Sequence, residues 1–92
     1  MTYTITKYSF NRAKSSGVQI KPSVNKKKKI DVFKNGSKIA SIGDIQYLDY
    51  PTLIIKKGKK IADQRRRLYK LRHQDDLGVV GSNGYYANKI LW

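Results

Sequence analysis

Residues 2–10 alternate in polarity: Tyr3 and Ile5 fall on one face, and Thr2, Thr4 and Thr6 on the other. β-Branched and aromatic side chains dominate the stretch, so the pattern predicts a strand. Residues 11–29 are polar and are interrupted by Ser15-Ser16-Gly17 and Pro22. They predict a basic loop or arm, with room for a short strand at 18–21. Residues 30–34 and 37–42 then flank Asn35-Gly36, a dipeptide that accepts the positive φ values of a type I′ hairpin turn. An unbroken two-residue hairpin sets Val32 opposite Ile39 and Ile30 opposite Ser41. Ile30, Val32 and Ile39 share one face, and Phe33, Ala40 and Ile42 the other. With apolar residues on both faces, either both are packed or one meets a partner.

Gly43-Asp44 ends the second strand of the hairpin. Pro51 disfavours a helix at Tyr50, and residues 52–55 read as a short strand before the Lys56-Lys57-Gly58 turn. Residues 59–74 are the best helix, with favourable formers throughout and no Gly or Pro. Ile61, Leu68 and Leu71, with Tyr69 beside them, form its apolar stripe. Residues 75–84 contain Gly78, Gly81 and Gly84 and predict a loop. Residues 85–92 predict a short terminal helix, capped by Ser82 or Asn83, or an extended tail. Their aromatic and aliphatic content predicts docking on the core. The expected fold class is α+β: one small domain with an antiparallel sheet containing the Asn-Gly hairpin, one main basic helix and a short aromatic C-terminal segment.

Charge changes this picture most. The chain of 92 residues carries 20 Lys and Arg against six Asp, a net of +14, and no Glu. Residues 1–41 hold a net of +9 and residues 56–72 a net of +8, while the stretches 42–55 and 73–92 are close to neutral. A body this small with that surplus repels itself unless an anionic partner is present. Nucleic acid comes first, because Lys and Arg displace condensed counterions from phosphates. An anionic membrane surface comes second and an acidic protein third. The longest apolar run, Leu53-Ile54-Ile55, is far short of a membrane span. Lys7 and Arg12 interrupt any signal-peptide core. With no Cys and one His, thiolate and multi-histidine metal sites are excluded, and no cofactor is expected.

Two basic groups are candidates for phosphate contact. The helix and the turn before it supply Lys56, Lys57, Lys59, Lys60, Arg65, Arg66, Arg67, Lys70 and Arg72. Arg forks suit phosphate oxygens. The helix contains no Glu to neutralise them, which favours an external anion over a merely solvated face. Lys26, Lys27, Lys28 and Lys29 form a second clamp, or equally a solubilising run ahead of an edge strand.

The seven tyrosines are read as core and interface packing rather than as base-stacking platforms. His73 with Asp75 or Asp76 lacks the nucleophile and oxyanion site of a triad and is read as a helix C-terminal residue. Asp44 and Asp49 are too isolated for a metal site and are expected to shape turns or to pair with Arg.

In order along the chain stand Gly43, Asp49-Tyr50, Tyr69-Lys70-Leu71-Arg72-His73, Gly84-Tyr85-Tyr86 and Leu91-Trp92. Through these residues 43–92 resemble a family of small, basic, uncharacterised proteins of nucleocytoplasmic large DNA viruses. The chain departs from that family at Tyr85, Tyr86, Asn88 and Ile90, where the family is richer in Trp. The resemblance implies a viral origin and a place in the virion or in a virus factory of the host cytoplasm or nucleus; it supplies no catalytic residues. The expected function is non-enzymatic: nucleic-acid binding through phosphates, DNA ahead of RNA, in genome packaging or organisation. The competing expectation is a minor capsid or cement protein on the acidic surfaces of larger capsid subunits. Homo-oligomers through open sheet edges are compatible with both.

Overall fold

The computed structural model describes residues 3–92, without the side chain of Asp76. The elements run α1 (Lys7–Ser15), β1 (Gln19–Pro22), β2 (Lys28–Lys34), β3 (Ser37–Asp44), α2 (Tyr50–Lys57), α3 (Lys59–Arg72), the single turn α4 (Gln74–Leu77) and α5 (Asn83–Leu91). The three strands form an antiparallel meander in the order β1-β2-β3, so the fold is α+β.

The strand expected over residues 2–10 does not form: residues 3–6 are the approach to α1 and residues 7–10 its first turn, while Thr2 lies outside the described residues. The Thr6 hydroxyl accepts from the Ser9 N–H at 3.2 Å and caps the helix start. The residues that α1 buries are Ser9 and Ala13, one turn apart. Small side chains let α1 lie close to α5, where the Ser9 hydroxyl donates to the Ile90 carbonyl at 3.0 Å. The stretch 11–29, expected as an arm, holds the second half of α1, all of β1, the turn into β2 and the first two residues of β2.

The Asn35-Gly36 turn forms as expected, with φ of 53° and 81°. Its register does not continue. Lys34 pairs Ser37 and Phe33 pairs Lys38, but Val32 pairs Ala40 and Ile30 pairs Ile42. Ile39 is the extra residue of a β-bulge. One slipped residue turns the rest of β3 over. Ile30, Val32, Ala40 and Ile42 therefore lie together on one buried face, correcting the two-sided apolar hairpin. The opposite face carries Asp31, which is buried and accepts hydroxyl hydrogen bonds from Ser23 at 2.6 Å and Ser41 at 2.7 Å.

The main core joins that sheet face and Ile20 to Ala13 of α1 and to Tyr86, Ala87, Ile90 and Leu91 of α5. Each large apolar side chain buried here contributes about 1.5–3 kcal/mol. Gly43 permits the close approach of β3 to α5: a Cβ at that position would meet Leu91 Cδ1 at 2.7 Å, and its φ is 78°. Ser82 caps α5 by accepting from the Tyr85 N–H at 3.1 Å.

Residues 52–55, expected as a strand, are helical. Asp49 caps α2, its carboxylate accepting from the Thr52 N–H at 3.0 Å. Pro51 stands in the first turn, where its missing N–H costs nothing. Gly58, with φ 91°, ends α2 and begins α3. A second small core forms from Tyr50, Leu53 and Ala62, with Tyr8, Leu48, Ile54 and Trp92 against it. Trp92 touches both cores.

Candidate nucleic-acid interface

Helix α3 packs mainly on α2, and Ala62 is its one buried residue. Its expected core stripe faces water: Ile61 is 38%, Leu68 51% and Leu71 57% exposed. Contact with the main body comes through Tyr69 and Arg66. The Tyr69 ring stacks on Trp92 at 4.5 Å and nearly parallel, at 8°. The His73 ring lies 4.5 Å from Tyr69 on the same helix, and His73 is the C-terminal cap of α3.

Between α3 and the surface made by β3 and α5 opens a cleft of about 840 Å³. Its lysines and arginines come from three elements: Lys28 and the buried Lys29 of β2, Lys57 of α2, and Arg65 and Arg72 of α3. Ile61, Leu68, Leu53 and Leu91 give it apolar lining, and Tyr47 stands at its wall, 68% exposed. Along α3 the order Ile61, Arg65, Leu68, Arg72 follows a 4-3-4 spacing, which is one helical face. Apolar and cationic positions alternate on that face.

The consecutive arginines do not act together, because successive helical residues point about 100° apart. Arg65 faces the cleft. Arg67 is exposed and falls on the far flank with Lys60 and Lys70. Arg66 turns inward. Its guanidinium carbon lies 3.9 Å from the centre of the Tyr50 ring, and it donates to the Trp92 carbonyl at 3.5 Å. It also stands 3.8 Å from Asp63. Arg66 is a structural pin, which removes it from the expected phosphate contacts.

Lys29 is the second correction. It is 4% exposed, and its ammonium donates to Asp49 at 3.1 Å. Lys26 and Lys27 remain exposed on the turn into β2, so the four-lysine run does not act as one clamp. Lys59 is exposed and pairs with Asp63 at 2.7 Å, while Lys56 and Lys60 are exposed at the α2–α3 elbow. Lys70 is half-buried. Burial, then the charges of Arg66, Arg12 and Lys89, hold its pKa below the ordinary lysine value.

Few acids oppose these cations. Ion pairs among the described residues join Lys29 to Asp49, Lys38 to Asp31, and Lys59 and Arg66 to Asp63. At the cleft, Asp49 is taken by Lys29 and by the Tyr3 hydroxyl, so its partner is a lysine rather than the expected arginine. Asp44 accepts from the Gln46 N–H in a turn.

Sequence reasoning missed the cleft because Ile61 and Leu68 read only as the apolar stripe of a packed helix. The available signal was the interleaving of arginines in the same stripe. Among the described residues, no helix is long and apolar enough to cross a membrane, and no group of three potential metal ligands comes together. Comparison with protein-family models, curated proteins and solved structures finds no match. The viral resemblance therefore rests on the order of motifs in residues 43–92 alone.

Proposed function

We propose that this chain is a non-enzymatic basic protein that binds nucleic acid, DNA ahead of RNA, through phosphates and with little sequence preference. Its role on this reading is packaging or organising a viral genome. One observation carries the phosphate reading: Lys28, Lys57, Arg65 and Arg72 converge on one cleft, and none of them is in an ion pair among the described residues. Exposed Lys56, Lys60 and Arg67 extend the charge around the same helical hairpin. Contacts of this kind fix a nucleic-acid backbone without reading its bases.

The capsid reading drew on a free arm over residues 11–29 and on a hairpin apolar on both faces. With α1, β1 and the bulge at Ile39 in place neither of these supports it, and the aromatic C-terminal segment that also favoured it packs on the chain's own cores; the proposal remains nucleic-acid binding.

The test is a charge reversal with a matched control. Arg65→Glu with Arg72→Glu should weaken binding to unrelated sequences alike, by about tenfold or more at low salt, since each lost phosphate contact removes counterion release. Lys21→Glu with Lys34→Glu changes the net charge equally but lies on the sheet. Equal losses from both pairs would show that net charge alone, and not this surface, binds the nucleic acid.

A further inference from the structure

We propose that the cleft between α3 and the β3–α5 surface accepts single-stranded nucleic acid in preference to duplex, its bases against Leu68 and Tyr47 and its phosphates on Arg65 and Arg72. This rests on the phosphate-binding reading and names the form of nucleic acid.

The lining of the cleft alternates apolar and cationic positions along Ile61, Arg65, Leu68 and Arg72. A charge-only surface for duplex has no use for the apolar members. Duplex presents phosphates and groove edges, and its base faces are stacked out of reach. A single strand alternates an anion with a flat apolar ring at every unit, and proteins hold it by joining a basic groove to aromatic or apolar platforms. Tyr47 offers such a platform, 68% exposed at the wall. Arg65 and Arg72 stand two turns apart on one face, roughly 10 Å along the helix axis, which leaves room between them for an unstacked base over Leu68. An acidic amphipathic peptide is the other class that such a groove attracts. It carries its own i, i+3, i+4 and i+7 apolar anchors and needs a continuous hydrophobic groove to receive them, and here Arg65 and Arg72 interrupt the apolar positions of α3.

Trp92 is the sole tryptophan and lines the cleft, so its fluorescence reports occupancy directly. The full chain is titrated with a mixed-sequence single strand, the matching duplex, an abasic phosphodiester chain of equal charge and an acidic glutamate–leucine peptide. The single strand should bind about tenfold tighter than the duplex or the abasic chain and should change Trp92 emission. Tyr47→Ala and Leu68→Ser alter exposed side chains. Each should lower single-strand affinity about tenfold and leave duplex affinity unchanged. Equal binding of strand, duplex and abasic chain, with Trp92 unmoved, overturns this inference and leaves phosphate binding standing. Preferential capture of the peptide, with Trp92 responding, also overturns it. If no nucleic acid binds at all, both readings fall.

Discussion

The Lys29 ammonium lies 3.1 Å from the Asp49 carboxylate, with both side chains almost wholly buried. The two residues stand 20 positions apart and tie the start of β2 to the cap of α2. Asp49 also accepts from the Tyr3 hydroxyl and the Thr52 N–H, so its charge is well solvated by the protein itself. Lys29→Ala would leave Asp49 charged, buried and short of its cation. Urea unfolding should show a loss of about 3–5 kcal/mol. Lys26→Ala, on the exposed turn, should fall within about 0.5 kcal/mol of the parent. Similar losses at the two positions would contradict the inward placement of Lys29.

The acid limb of stability follows from the same carboxylate and from Asp31. Burial pushes the Asp49 pKa up, but hydrogen bonds from Thr52 and Tyr3 and the charge of Lys29 outweigh it and hold it below the ordinary value. At Asp31 burial likewise raises the pKa, and hydrogen bonds from Ser23, Ser41 and the Val24 N–H reverse it. A carboxylate with a depressed folded pKa stabilises the fold above its unfolded pKa, about 4, and loses that contribution as pH falls through the folded value. Unfolding midpoints should be flat between about pH 5 and 8 and drop below about pH 4. Asp31→Asn should flatten part of that drop.

At the alkaline end, burial and then Asp49 push the Tyr3 pKa well above the ordinary tyrosine value. Neutral Tyr3 therefore stabilises the fold below about pH 10, its unfolded pKa, and that contribution is lost as pH rises toward the folded value. Tyr3→Phe should remove this share of the alkaline loss, read as a shallower fall in midpoint above about pH 10. An unchanged fall would place the titrating group elsewhere.

The three consecutive arginines should separate in stability measurements. Arg66 caps the Tyr50 ring and bonds the Trp92 carbonyl, so Arg66→Ala should cost about 1–2 kcal/mol. Arg65→Ala and Arg67→Ala should leave the thermal midpoint almost unchanged. The reverse ranking would contradict the orientation of α3.

Gly43→Ala tests the contact between β3 and α5. The added methyl meets Leu91, and the φ of 78° is unfavourable for a side chain. A loss of about 1–3 kcal/mol is expected, against little change for alanine at Gly78, which has open space around it. An equal response at the two glycines would remove the close approach.

What the sequence disclosed depended on how each element buries its face. The hairpin was legible because Asn35 and Gly36 are chemically suited to their turn. The bulge at Ile39 was not, because no residue type demands it and the buried face chooses the register. α1 hides in the sequence, its first half inside the strand-like stretch 2–10 and its second half inside the polar stretch 11–29, because it buries Ser9 and Ala13, which add nothing to an apolar periodicity. α2 was hidden by Pro51, although Asp49 before it carried a cap signal. At α3 the start at Lys59 is legible, but the helix ends at Arg72 rather than at residue 74, and its apolar stripe has another environment: Ile61 and Leu68 line a cleft, not the core. Of the candidate site, the charge and the helix were legible in the chain. The division of cations into inward Lys29 and Arg66 and outward Lys57, Arg65 and Arg72 needed the fold, because it depends on where the few aspartates lie.

Phosphate neutralisation is tested most directly by the salt dependence of binding. If Lys28, Lys57, Arg65, Arg72 and their exposed neighbours meet about six phosphates, log affinity falls with log salt at a slope near −5 on duplex and near −4 on a single strand. A slope shallower than about −2 on both would mean that these cations do not serve to hold nucleic acid.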